Sequence, residues 1–201
     1  VRLTVIGILL VVAALGAVYV LADTFVRPPI SGLVPASPPP VESARVVWVN
    51  DGDSMVVAPV DGEYAGREQR VRLIGIDAPE MRPAPQCWAR ESADALLKLA
   101  PRGSIVTLAF DTQKFDDYRR QLRYVWNARG VLVNESQLAA GNAFFLRVWP
   151  NVAYEKEFRR QANQARTGKK GLWGGCADPR PPVHGGNSAP APSTGSPHGQ
   201  P

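Results

Sequence analysis

The 201-residue chain is expected to fold as an α+β domain, mainly β, with a five-stranded barrel and about three helices. Three observations predict this. Residues 45–76 carry three strand patterns joined by turns that contain Asp-Gly. One helical pattern separates the third strand from the fourth, and further helical patterns follow the fifth. That order of elements is the order of a small OB-fold barrel.

Four segments are expected: 1–25, 26–43, 44–176 and 177–201. Leu3 to Ala22 contains no charged residue. As a helix these residues would rise about 30 Å, enough to cross a bilayer. Arg2 ahead of them keeps the N-terminus in the cytoplasm and sends the rest across. Val20-Leu21-Ala22 offers small residues for cleavage of a signal peptide, whereas the length of the apolar run favours a retained single-pass anchor. A buried core helix is the weaker alternative, because a proline-rich stretch follows rather than a domain. Both exported forms place the domain outside the cytoplasm. Residues 26–43 hold six of the 19 prolines and read as an extended spacer. Residues 177–201 hold seven more, with Gly, Ser and Ala, and read as a disordered tail.

Within 44–176 the first hairpin pairs Arg45–Val49 with Ser54–Ala58 around Asn50-Asp51-Gly52-Asp53. A second turn at Asp61-Gly62 leads into a third strand, Glu68–Ile76. That strand runs into Asp77-Ala78-Pro79-Glu80, where two carboxylates follow Arg72 within nine residues. Ala89, Ala93, Leu96, Leu97 and Ala100 recur at helical spacing over Trp88–Ala100, and Pro101-Arg102-Gly103 ends that helix. Ser104–Phe110 and Gln121–Trp126 are the fourth and fifth strands, separated by the charged loop 111–120. Asn134 is expected to cap a short helix that stops at Gly141. Asn151 is expected to cap the last helix, which runs to about Thr167. Leu172 and Trp173 anchor the closing segment.

Composition narrows the chemistry. The net charge is +5, and residues 44–176 hold 20 Lys and Arg against 15 Asp and Glu. A basic domain suits an anionic partner, nucleic acid or acidic lipid. The two histidines, His184 and His198, both fall in the tail, so a zinc site of the usual kind is excluded from the domain. Any metal there would take oxygen ligands, which favours calcium, magnesium or manganese. Outside the cytoplasm the two cysteines, Cys87 and Cys176, are expected to form a disulfide, the alternative being two thiols.

Three pieces stand out: Asp51-Gly52-Asp53, then Arg72 with Asp77-Ala78-Pro79-Glu80, then Asp116-Asp117-Tyr118-Arg119-Arg120. Each alone reads as surface decoration. Together and in this order, with Val133-Asn134-Glu135, the Gly141 region and Gly171-Leu172-Trp173, they resemble the staphylococcal nuclease (thermonuclease) family over roughly Arg45 to Trp173. The resemblance implies that Asp53 and Asp77 bind Ca2+, with the main-chain carbonyl of Ala78 as a further ligand. It implies that Glu80 acts as general base or positions the water, and that Arg72 and Arg120 grip the scissile phosphate. Tyr118 matches a position near the substrate pocket. Arg119 stands where the family usually has glycine; it either crowds the loop or adds affinity for phosphate.

The implied activity is calcium-dependent hydrolysis of DNA or RNA phosphodiesters, leaving 3′-phosphate ends, by a monomer tethered through residues 3–22 if these are not cleaved. The rival expectation is a non-catalytic nucleic-acid-binding module of the cell envelope. Arg159, Arg160, Arg166, Lys169 and Lys170 either attract polyanions or form a solvated helix face, and Tyr154 either stacks on a base or packs in the core.

Overall fold

A computed structural model describes residues 41–182. The elements in chain order are β1 (Glu42–Asp51), β2 (Ser54–Pro59), β3 (Gln69–Leu73), β4 (Ile76–Asp77), α1 (Ala89–Leu99), β5 (Ile105–Ala109), β6 (Gln121–Trp126), α2 (Val133–Ala139), β7 (Phe144–Phe145), α3 (Glu155–Thr167) and the single turn α4 (Leu172–Gly175). Five strands close a barrel in the order β1-β2-β3-β6-β5, with β5 returning to pair with β1. All pairs are antiparallel except β3 with β6. Closure removes the free strand edges that an open sheet of this size would expose.

Val46, Met55, Val57, Val71, Leu73, Val106, Leu108, Leu122 and Val125 fill the barrel, and each is essentially inaccessible. Each such side chain contributes about 1.5–3 kcal/mol by leaving water. Leu96 on α1, Leu138 on α2 and Phe158 on α3 join the same core, so the helices are fixed to the barrel by apolar contact.

The structure moves several expected boundaries. β1 begins at Glu42, inside the expected spacer, because Glu42 and Ser43 pair with Leu108 and Thr107. The expected third strand is two strands. Gly75, at φ +83°, turns the chain after Ile74, and β4 leaves the barrel to pair with β7. A side chain at Gly75 would meet the Phe158 ring at 2.5 Å, so both the backbone conformation and the space require glycine.

Neither expected asparagine is a cap. Asn134 lies inside α2 and is fully buried. Its Oδ1 accepts from the Val125 N–H at 2.9 Å, and its Nδ2 donates to the carbonyls of Ile74 and Arg123 at 2.9 and 3.2 Å. One buried amide thus pairs main-chain groups of the β3–β4 turn and of β6. Asn151 precedes the cap position of α3 by three residues. It accepts from the Gln113 N–H and donates to the Gln113 carbonyl, at 2.7 and 2.9 Å, and so secures the 111–120 loop.

Cys87 and Cys176 form a disulfide that ties the start of α1 to the end of α4. The expected tail, 177–201, is described only to residue 182. That portion has no helix or strand, yet Pro182 is buried against the domain, so the folded unit extends past Cys176. The expected membrane segment, residues 3–22, lies outside the described residues, and no described helix is long and apolar enough to cross a membrane.

Candidate active site

The site begins at the β1–β2 turn. Asp51 Oδ1 accepts from Ser54 Oγ at 2.6 Å, and Gln137 of α2 donates to the Gly52 carbonyl at 2.7 Å. Gly52 lies so close to α1 that a side chain there would collide with Ser92 and with Ala78. This clamps Asp53, which is buried, directly beside the 77–80 segment. The Ala78 N–H donates to Asp53 Oδ2 at 2.6 Å across 25 residues of sequence.

Arg72, on β3, joins the two aspartates. Its Nη1 lies 3.1 Å from Asp53 Oδ2, and its Nη2 donates to Asp77 Oδ1 at 2.9 Å. Nη1 also donates to the Ile76 carbonyl at 2.7 Å and the Leu73 carbonyl at 3.2 Å. The guanidinium fork matches this spread of acceptors as a lysine could not. All three charged groups are buried. Burial pushes the Asp53 carboxyl well above its ordinary range. The Arg72 charge acts in the opposite direction, Asp51 and Asp77 raise it further, and the Ala78 N–H lowers it.

Glu80 follows on the loop. Its main-chain N–H donates to Gln86 Oε1 at 2.8 Å, and its carbonyl accepts from the Gln86 N–H at 2.9 Å. Gln86 precedes the disulfide-bonded Cys87, so the backbone of Glu80 is held next to a covalent anchor.

Arg120 comes from the loop ahead of β6. There Asp116 organises a tight turn. Its Oδ1 accepts from the N–H groups of Tyr118 and Arg120, and its Oδ2 binds Arg120 Nε at 2.6 Å. Tyr118 is exposed, and its ring lies under the Arg120 guanidinium, 5.6 Å from centroid to Cζ. Arg119 has φ +59°, in the left-handed region where an L side chain is strained. This is the physical reason a glycine suits that position.

Arg72, Glu80, Tyr118 and Arg120 line one open cavity of about 750 Å³. Leu146 and Val148 supply part of its apolar wall, and Pro182 closes one side. Asp53, Asp77 and Ala78 sit beneath Arg72, with only Arg72 of that group lining the cavity. Arg119 does not line it either.

The oxygen donors that could hold a cation are the Asp53 and Asp77 carboxylates and the Ala78 carbonyl. Among the described residues no three acidic, histidine or cysteine side chains gather into a cage. The donor chemistry nevertheless suits a hard divalent ion. Two carboxylates lie within reach of one guanidinium, and burial disfavours the charge on Asp53, a cost that a neighbouring cation offsets.

The motif residues come together, but sequence reasoning missed their supports. Asp116 belongs to the third motif, but its role as the acceptor that shapes the turn is not readable from the sequence. Gln86 and Gln137 carry no sequence signal, since their partners are defined by the fold. The basic residues of α3 are occupied locally: Arg159 binds Glu155, Arg160 binds Glu157, and Arg166 lies over the Trp173 ring. Tyr154 packs on Phe158 and against Tyr124 and Trp126.

Residues 70–175 match the model of the staphylococcal nuclease homologue family. The chain is 31% identical to a thermonuclease of Staphylococcus hyicus over 135 residues, covering 66% of this chain and 76% of that protein. It is 36% identical to an uncharacterized endonuclease of Escherichia coli over 138 residues, covering 69% of this chain and 80% of the relative. A probable staphylococcal-like nuclease of Oryza sativa subsp. japonica is 30% identical over 120 residues, 59% of this chain and 29% of the plant protein. The buried Asp-Arg-Asp group beneath a cavity shared by Glu80 and Arg120, and the match over residues 70–175, lead to one conclusion: the chain belongs to the staphylococcal nuclease homologue family.

Proposed function

We propose that the protein is a calcium-dependent nuclease that hydrolyses phosphodiester bonds of nucleic acid and leaves 3′-phosphate ends. The observation that carries this reading is that Arg72 and Glu80, from one stretch of chain, and Arg120, from the loop ahead of β6, line a single cavity directly above two buried carboxylates. Asp53, Asp77 and the Ala78 carbonyl would hold the ion. A bound calcium ion supplies Lewis-acid polarisation of a phosphate oxygen and orients a water.

The chain's own residues do the rest. Glu80 accepts a proton from the attacking water, whose oxygen forms the new bond to phosphorus. The bond from phosphorus to the 5′-oxygen breaks, and that oxygen takes a proton from solvent. Arg72 and Arg120 offer charge-assisted donors to the phosphate oxygens as negative charge grows there. Arg120 exchanges part of its contact with Asp116 for the phosphate. The Gln86 contacts keep Glu80 from drifting as it changes charge.

In the same proposal the protein is exported and acts as a monomer. Residues 3–22 serve as an anchor if uncleaved and as a signal peptide otherwise, on the strength of their length and lack of charge. The test is cleavage of DNA and RNA by the full chain with calcium, with a chelator, and with Glu80→Gln. Calcium-dependent cleavage, lowered about 10²-fold or more in the variant, is expected for a general base. Tight binding without cleavage in calcium would leave only a binding module.

A further inference from the structure

β1 carries an aromatic side chain that its own sequence pattern would bury. Ala44 and Val46 point into the barrel, and simple alternation would carry Trp48 in after them. The pairing shows otherwise. Val46 faces Val57 and Trp48 faces Val56, so Val47 is an extra residue. This bulge resets the alternation. Trp48 turns outward and is 55% exposed, while Val49 returns to pack on the core. Bulges re-aim side chains in this way beside functional sites.

The outward indole lines a second cavity, of about 460 Å³, together with Val49, Asn50, Asp51, Glu80, Met81 and Arg82. Glu80 and Arg82 also line the cavity of the candidate active site. The two spaces therefore meet along the 80–82 segment. Their chemistry differs. The first has arginines for a phosphate. Beyond the shared Glu80 and Arg82, the second has an aromatic face, an exposed amide at Asn50 and one carboxylate, Asp51.

We propose that the Trp48 groove is a base-stacking subsite for the nucleotide next to the scissile phosphate, with Arg82 at the junction meeting the linking phosphate. The proposal rests on the nuclease reading for its scissile phosphate. Stacking on an indole requires a base that is free of its duplex neighbours, and every base has a face to stack, so the groove accepts an unpaired base of any kind. The Asn50 amide, with both donor and acceptor, tolerates either kind of base edge.

The test uses the full chain in calcium, with a 12-nucleotide single strand and a duplex of the same sequence. Trp48→Ala is expected to raise KM for the single strand about tenfold, the scale of one lost base–aromatic stack, with kcat unchanged and the duplex KM within about twofold. Trp48→Phe, which keeps a ring, is expected to restore most of the single-strand KM. An equal change on single strand and duplex, or no change on the single strand, overturns the proposal. If the wild-type chain cleaves neither substrate, the nuclease reading fails by itself. The groove is then decided by the fluorescence anisotropy of a labelled 12-mer: a Kd weakened about tenfold by Trp48→Ala supports it, and an unchanged Kd overturns it.

Discussion

The two arginines of the site are held in opposite ways. Arg72 sits on a barrel strand, its side chain 9% exposed, and contacts two carboxylates and two main-chain carbonyls. Arg120 sits at the end of a loop, its side chain 31% exposed, and has one carboxylate partner four residues earlier. The first is part of the folded interior and comes to its place with the barrel. The second depends on a five-residue turn that includes a strained residue. A site built this way has one fixed wall and one adjustable one, which suits gripping a flexible polyanion.

The comparison is broken most severely by Arg72→Ala. The substitution leaves Asp53 and Asp77 buried without their cation, a situation that costs about 3–5 kcal/mol. Chemical denaturation in a chelator should show that loss, and added calcium should return part of it if these carboxylates bind the ion. Equal destabilisation with and without calcium would count against Asp53 and Asp77 as ligands.

Arg120→Ala is expected to do the reverse. Nuclease activity should fall about 10²–10³-fold, the scale for losing one preorganised donor to the transition state. Thermal stability should move little, because a half-buried ion pair at the edge of a loop contributes only about 1 kcal/mol. A large drop in Tm for this variant would show that the two walls do not differ as described.

Asp116→Ala probes how Arg120 is aimed. It removes the acceptor of two main-chain N–H groups and of Arg120 Nε. Activity should fall by up to about 10²-fold, as expected when a positioned group is displaced without being removed, with the loss appearing in kcat more than in KM. An undiminished kcat would show that Arg120 finds the phosphate without guidance.

The smallest effect is expected for Arg119→Gly. At φ +59° glycine relieves strain, so the variant should be more stable by about 1 kcal/mol in denaturant titration. Because Arg119 does not line the cavity, cleavage should change little. A strong loss of activity with unchanged stability would instead assign Arg119 to phosphate binding.

Much of this was legible before the fold was known. Apolar alternation located the barrel strands, and the Asp-Gly turn located the first hairpin. The charged trio of motifs picked out every residue of the buried Asp-Arg-Asp group, together with Glu80, Asp116, Asp117 and Arg120 of the cavity's wall. What failed did so for identifiable reasons. Ile74-Gly75-Ile76 keeps a strand's apolar character, so the break between β3 and β4 is invisible without the Phe158 ring that crosses Gly75. Asn134 and Asn151 occur where helix caps are common, but main-chain groups from distant segments claimed their amides. Trp48 follows two buried positions in phase and was turned out by one unpaired residue.

The sequence by itself determined the strand and helix order and the residue types available for chemistry, because periodicity and turn propensity act over a few neighbouring residues. Only the tertiary structure decided that Asp53 meets Ala78, that Gln137 clamps Gly52 across 85 positions, that Gln86 holds Glu80 beside a disulfide, and that Trp48 faces a groove beside the site. These contacts arise from closing a barrel and satisfying its buried polar groups. Their partners are set by register and packing across the whole domain rather than by any local pattern.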